Sequence, residues 1–220
     1  MLHKTKGIVF RYTPYGEASI IVNIFTESFG LQSYIVNSVR SKTGKSKIAI
    51  YQPLTLLDLV VYHKENAGIL RIKEATCAHP YHSIQSDPKK SCIGMFINEV
   101  LNKTVKEQVH ADELCNFIFD ALIRLDRLEH PENFHLVFLI KLSKYLGFGP
   151  FAKAELGALM LNEEEEQVLD KLLECEFEDF VKVSNDKRRI LLDAFIRFYG
   201  NHIDAMGSIK SVQVLREVLS

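Results

Sequence analysis

No stretch of this 220-residue chain approaches the ~18–20 uninterrupted apolar residues that span a bilayer, so no membrane segment is expected. The opening Met1-Leu2-His3-Lys4-Thr5-Lys6 carries charge with no apolar run behind it, and no secretory signal is expected either. Cysteine is sparse: Cys77, Cys92, Cys115 and Cys175 stand at least 15 residues apart, with no Cys-x-x-Cys pair. Disulfide frameworks belong to short, Cys-dense, oxidised chains, so reduced, half-buried thiols and a cytoplasmic location are expected. Phosphate-loop and hydrolase signatures are missing too. There is no Walker sequence, no Gly-x-Gly-x-x-Gly and no Gly-x-Ser-x-Gly elbow. Gly44-Lys45-Ser46 resembles a P-loop end, but Val39 stands where the earlier glycine is needed. His79-x-x-His82 with His63 has no carboxylate or cysteine at ligand spacing and reads as surface histidine, so no metal is expected. The consecutive carboxylates Glu163–Glu166 point in different directions and read as a helix start complementing the dipole. With no nucleophile, acid–base pair or metal in view, an enzyme is the least favoured class and no cofactor is expected.

What is present is a division of charge. Residues 1–80 carry ten Lys/Arg against five Asp/Glu, a net +5, while residues 81–220 carry seventeen against twenty-three, a net −6. The basic part is strand-like. Ile8, Phe10 and Tyr12 alternate with Val9 and Arg11, and Pro14-Tyr15-Gly16-Glu17 supplies a turn. Further strands are expected at Ser19–Phe25, Leu31–Asn37, Leu56–Tyr62 and Ile69–Ala75. Five short strands with turns at this spacing predict an OB-fold barrel.

After a break at about Cys77–Asp87 the apolar period changes from two to 3.6. Asp87-Pro88 is a helix start, followed by the stripe Ile93, Phe96, Ile97, Val100 and Leu101. A second helix carries Leu114, Ile118, Leu122 and Leu125, and a third runs from about Glu132 to Gly147. Asn162 with Glu165 forms a capping box, and two more helices are expected at about Asp186–Tyr199 and Ile209–Leu219. The fold expected is α+β: a five-stranded OB-fold β-barrel over residues 1–80 followed by an all-α helical domain over residues 81–220.

Single strands are bound by grooves that combine cations along the phosphates with aromatic rings under the bases. The candidate residues here are Arg11, the stretch Arg40, Lys42, Lys45 and Lys47, Arg71 and Lys73 on one strand, and Tyr34 as a stacking ring. The bland alternative is that Phe10 and Tyr12 fill the barrel while the lysines solubilise it. That alternative is weakest for 40–47, where four cations in eight residues repel one another without an acid nearby. In the helical part Lys141, Lys144, Arg188 and Arg189 border apolar stripes and could capture an acidic peptide with a hydrophobic end, the alternative being solvated helix faces. An RNA-binding OB module and a protein-only adaptor are the rival readings.

An ordered set of short motifs resembles the bacterial RecO family of recombination mediators: Lys6-Gly7-Ile8-Val9, Tyr15-Gly16-Glu17-Ala18-Ser19, Phe25-Thr26, Gly30, Arg40 and Gln52-Pro53-Leu54. Phe138-Leu139, Leu146-Gly147-Phe148-Gly149-Pro150, Ile209-Lys210-Ser211 and Val214-Leu215 continue it. The resemblance implies a non-enzymatic, nucleoid-associated protein that binds single- and double-stranded DNA and anneals complementary strands. It further implies action with RecR to load RecA onto strands coated by single-strand-binding protein (SSB), and a helical domain that in some members binds the acidic, Phe-ended SSB tail. Two departures stand out. Many members carry a four-cysteine zinc finger after the Gly-x-x-Pro region, whereas Phe151-Ala152-Lys153-Ala154 follows here with no cysteine before Cys175, so the finger is expected to be absent. The glycine usual before the basic stretch is Ser38.

Overall fold

Strand β1, Leu2–Tyr15, is long enough to serve two neighbours. Its first half pairs antiparallel with β4 (Leu56–Tyr62), from Leu2 opposite Tyr62 to Ile8 opposite Leu56. Its second half pairs with β2 (Ser19–Thr26), from Gly7 opposite Thr26 to Tyr15 opposite Ser19. Gly7 sits at the hand-over, where a Cβ would lie 2.6 Å from the Ile24 side chain and 2.8 Å from that of Leu59. With β3 (Gly30–Val36) and β5 (Leu70–Cys77) the strands close in the order β1-β2-β3-β5-β4, the five-stranded OB-like barrel that strand count and spacing predicted. The computed structural model describes residues 1–39, 48–65, 67–106, 111–149 and 161–219.

Alternation builds the interior. Ile20, Val22 and Ile24 of β2 point inward with Leu57, Leu59 and Val61 of β4, all buried. A register shift between Val9 and Arg11 interrupts the alternation of β1 at Phe10. Phe10 is buried, as the core reading expected, and stacks on Phe25 with ring centroids 5.7 Å apart. Burying each such ring is worth about 1.5–3 kcal/mol.

The chain divides into two compact units, Met1–Pro80 with Val105–Leu122, and Tyr81–Thr104 with Ile123–Ser220. The first unit therefore takes in helix α2 (Ala111–Arg127) as far as Leu122, whereas the sequence reading assigned this helix to the helical domain. Asn116 donates to Glu27 at 3.2 Å, and Lys6 lies 5.8 Å from the centre of the Phe119 ring. Burial and then the neighbouring Glu27 carboxylate push the Cys115 thiol up to about 12.

In the second unit the expected helix signals operate. Helix α1 (Pro88–Thr104) begins with the Asp87 carboxylate accepting from the N–H groups of Lys89 and Lys90 at 2.8 and 3.1 Å. Helix α3 (Phe134–Tyr145) is buried on nearly every side, as a central helix must be, and Gly147 stops it with a φ of +86°. Helix α4 (Glu163–Glu174) carries the Asn162–Glu165 capping box. Helix α5 (Asn185–His202) sends the buried Tyr199 hydroxyl 2.6 Å to the Leu139 carbonyl of α3. Helix α6 (Ser211–Val218) has no cap of its own. Instead Glu99 of α1 accepts from the Lys210 and Ser211 backbone N–H groups and the Ser211 hydroxyl at 2.7–2.9 Å. No helix among the described residues is long and apolar enough to cross a membrane.

Candidate nucleic-acid interface

The barrel closes unevenly. Strands β3 and β5 run parallel and pair only at Tyr34–Leu70 and Ile35–Arg71. Beyond that seam lies a cleft of about 590 Å³, lined by Val36, Asn37 and Val39 on one side, Ile50 and Tyr51 on another, and Arg71 to Thr76 of β5 on the third. Val39 and Tyr51 are buried anchors. They bracket the basic stretch, whose Arg40, Lys42, Lys45 and Lys47 lie outside the described residues. Ser38, just before it, has a φ of +60°, the left-handed backbone that glycine adopts most easily.

Arg71 and Lys73 both line the cleft and are exposed, though not for the reason expected. Two-residue spacing predicted a shared strand face. In the structure Val61 faces Ile72 and Val60 faces Glu74, so Lys73 is the extra residue of a bulge. Its ammonium lies 3.6 Å from Glu74, an exposed pair of little energetic weight. Arg11 is exposed on β1 opposite Asn23 and does not line the cleft. Tyr34 requires correction. Its ring is fully buried in the barrel, burial raises its phenol well above the ordinary value, and its hydroxyl has no hydrogen-bond partner among the described residues. It is a core residue and offers no face to a base. An exposed ring that sequence reasoning missed is Tyr62, directly across from Arg71.

The helical unit has a separate cleft of about 280 Å³, with an apolar floor of Phe134, Val137, Leu172 and Phe177 and with Lys182 on its lining. Phe134 and Phe177 stack at 4.5 Å, and Phe180 beside them is 75% exposed. Of the four cations expected to frame such a groove, Arg188 alone lines it, and it too is corrected. It is buried, and its guanidinium donates to Asn133, Asn185 and the carbonyls of Val183 and Leu219 at 2.8–3.1 Å. Such an arginine holds the fold together and has little left for a partner. Lys141 pairs with Glu176 at 2.8 Å, Lys144 is exposed at the end of α3, and Arg189 reaches the Arg216 carbonyl at 3.4 Å. Among the described residues no group of three or more His, Cys, Asp or Glu side chains is placed to hold a metal ion.

Two family models match this chain: Recombination protein O N terminal over residues 1–81, and Recombination protein O C terminal over residues 85–155. The DNA repair protein RecO of Flavobacterium psychrophilum is 37% identical, covering 99% of both chains. That of Flavobacterium johnsoniae is 36% identical with the same coverage. The chain belongs to the RecO family.

The RecO N-terminal match spans all five strands and every barrel residue considered above. The C-terminal match begins just before α1 and takes in Lys141 and Lys144, whereas Arg188, Arg189 and Lys182 lie beyond it. DNA repair and recombination are the field of this RecO family, and the OB-like barrel is its N-terminal part in this chain.

Proposed function

We propose that this RecO chain is a non-enzymatic recombination mediator that binds single- and double-stranded DNA on its barrel unit and anneals complementary strands. With RecR it helps to load RecA onto strands coated by SSB. The observation that carries the DNA reading is the cleft at the β3–β5 seam: Arg71 and Lys73 stand on one wall, and the anchors Val39 and Tyr51 on the others bracket a segment of four cations. Cations that replace condensed counterions on phosphate give an affinity that falls steeply with salt. Replacing Lys42, Lys45 and Lys47 together by Glu is expected to abolish annealing at low salt and leave the thermal midpoint nearly unchanged. Annealing that persists in this variant removes the segment from the mechanism, and an RNA strand that outcompetes single-stranded DNA moves the protein to another substrate.

The helical-unit cleft suits the acidic, Phe-ended SSB tail, with an aromatic floor for the terminal ring and Lys182 for carboxylates. Capture of a tail peptide that is lost when its terminal Phe is removed supports this, and capture independent of that residue rejects it.

A further inference from the structure

The outer face of strands β1, β4 and β5 carries an aromatic ring that the barrel does not use. Leu2 lies directly opposite Tyr62, and Tyr62 directly opposite Arg71, so one row crosses three strands. The next row is Lys4, Val60 and Glu74. Directly opposed residues share a face with their Cβ atoms about 4.5–5.5 Å apart. That face is the outer one, because the intervening Val61 is fully buried in the core while Leu2 and Tyr62 are each 48% exposed.

Three facts separate Tyr62 from an ordinary surface aromatic. Among the described residues no ring or cation covers it: Phe29 stacks on the adjacent His63, His3 meets both edge-on, and Tyr62 is left out. Lys4 and Arg71 beside it make no ion pair among the described residues, and the one nearby pair, Lys73 with Glu74, is exposed. Arg71 also lines the cleft at the β3–β5 seam, so ring and cleft are continuous through a single side chain.

We infer that Tyr62, with Arg71 directly across from it and Lys4 on the diagonal, is a stacking step for an unpaired base of single-stranded DNA passing to or from the seam cleft. This rests on the DNA reading above. An uncovered ring with one cation opposite and another on the diagonal offers a π-face for a base and charge for the flanking phosphates, the two elements of sequence-tolerant single-strand binding. A duplex keeps its base faces stacked internally and cannot use the ring, whereas the cations serve both forms. The step therefore favours single strands and reads no sequence.

The test compares wild type with Tyr62→Ala and Tyr62→Phe. Each is titrated with an oligo-dT strand and with an abasic deoxyribose-phosphate strand of equal length, at several salt concentrations, with the thermal midpoint measured alongside. Expected are a loss of oligo-dT affinity of roughly tenfold or more for the Ala variant and near-wild-type binding for the Phe variant. The abasic strand is expected to bind all three proteins alike, with the same salt slope. If the Ala variant binds oligo-dT as tightly as wild type while wild-type binding still falls with salt, the stacking step is wrong and the DNA reading stands. If wild type retains no strand at ~50 mM salt, the DNA reading itself fails. An equal loss on the abasic strand, or a fall in the thermal midpoint of both variants, makes Tyr62 a structural residue and overturns the proposal.

Discussion

Ser83 and Asp126 are locked to each other in both directions. The Asp126 carboxylate accepts the Ser83 backbone N–H at 2.8 Å, and the Ser83 hydroxyl donates to the Asp126 main-chain carbonyl at 2.5 Å. The same carboxylate takes the N–H groups of His82 at 2.9 Å and Ile84 at 3.0 Å, and buried Lys90 donates to the Asp126 carbonyl and the Ser83 hydroxyl. An irregular segment with no ladder of its own thus has its backbone donors satisfied by one side chain.

Stability should follow the ionisation of Asp126. Burial alone would raise its pKa, but the backbone donors of His82, Ser83 and Ile84 more than offset that and hold it at about 2. The folded value lies below the ordinary 3.8, so the carboxylate stabilises at neutral pH and its contribution is lost as pH falls through about 4 toward 2. Asp126→Ala is expected to cost about 2–4 kcal/mol in urea unfolding at pH 7, because three N–H groups lose their acceptor. The deficit against wild type should shrink progressively as the pH is lowered.

Gly7→Ala should destabilise the barrel by about 1–3 kcal/mol, since the added methyl meets Ile24 and Leu59 on opposite sides of a filled interior. A thermal midpoint equal to wild type would mean that the two side chains can both retreat.

Tyr34→Phe should do the reverse. Its hydroxyl is buried with no partner among the described residues, so removing it is expected to be neutral or stabilising by up to about 1 kcal/mol. Single-strand affinity should stay the same, which also checks that this ring is not a stacking residue.

Arg188→Ala is expected to cost about 3 kcal/mol or more, because four acceptors in the helical unit lose their donor together. Chemical denaturation measures it. Arg189→Ala, on an exposed guanidinium with one long contact, should change the midpoint little.

The barrel was legible because its signals are local. The alternation of Ile20, Val22 and Ile24 matches the burial observed, and the Asp87-Pro88 start and Asn162–Glu165 capping box are where their chemistry placed them. Period two says which residues share a face but not which face is inside, and so Tyr34 was taken for the exposed ring instead of Tyr62. A single-residue bulge at Lys73 breaks the count on which the expectation for that residue rested. Helix α2 shows why domain membership was harder. One stripe, Leu114, Ile118 and Leu125, is plain in the sequence, but Cys115 and Phe119 are buried as well, and periodicity cannot say which core receives which stripe. The cleft wall at Phe177–Val183 has no regular period and so left no trace at all.

The uneven closure of the barrel also bears on its motions. Four of its joints are long antiparallel ladders, while the fifth joins Tyr34 to Leu70 and Ile35 to Arg71 and nothing more. Local opening follows the fewest bonds, so this joint is where the ring can part without unfolding. A barrel of this kind is a bracelet with a clasp, and Arg71, which lines the cleft, belongs to the clasp itself.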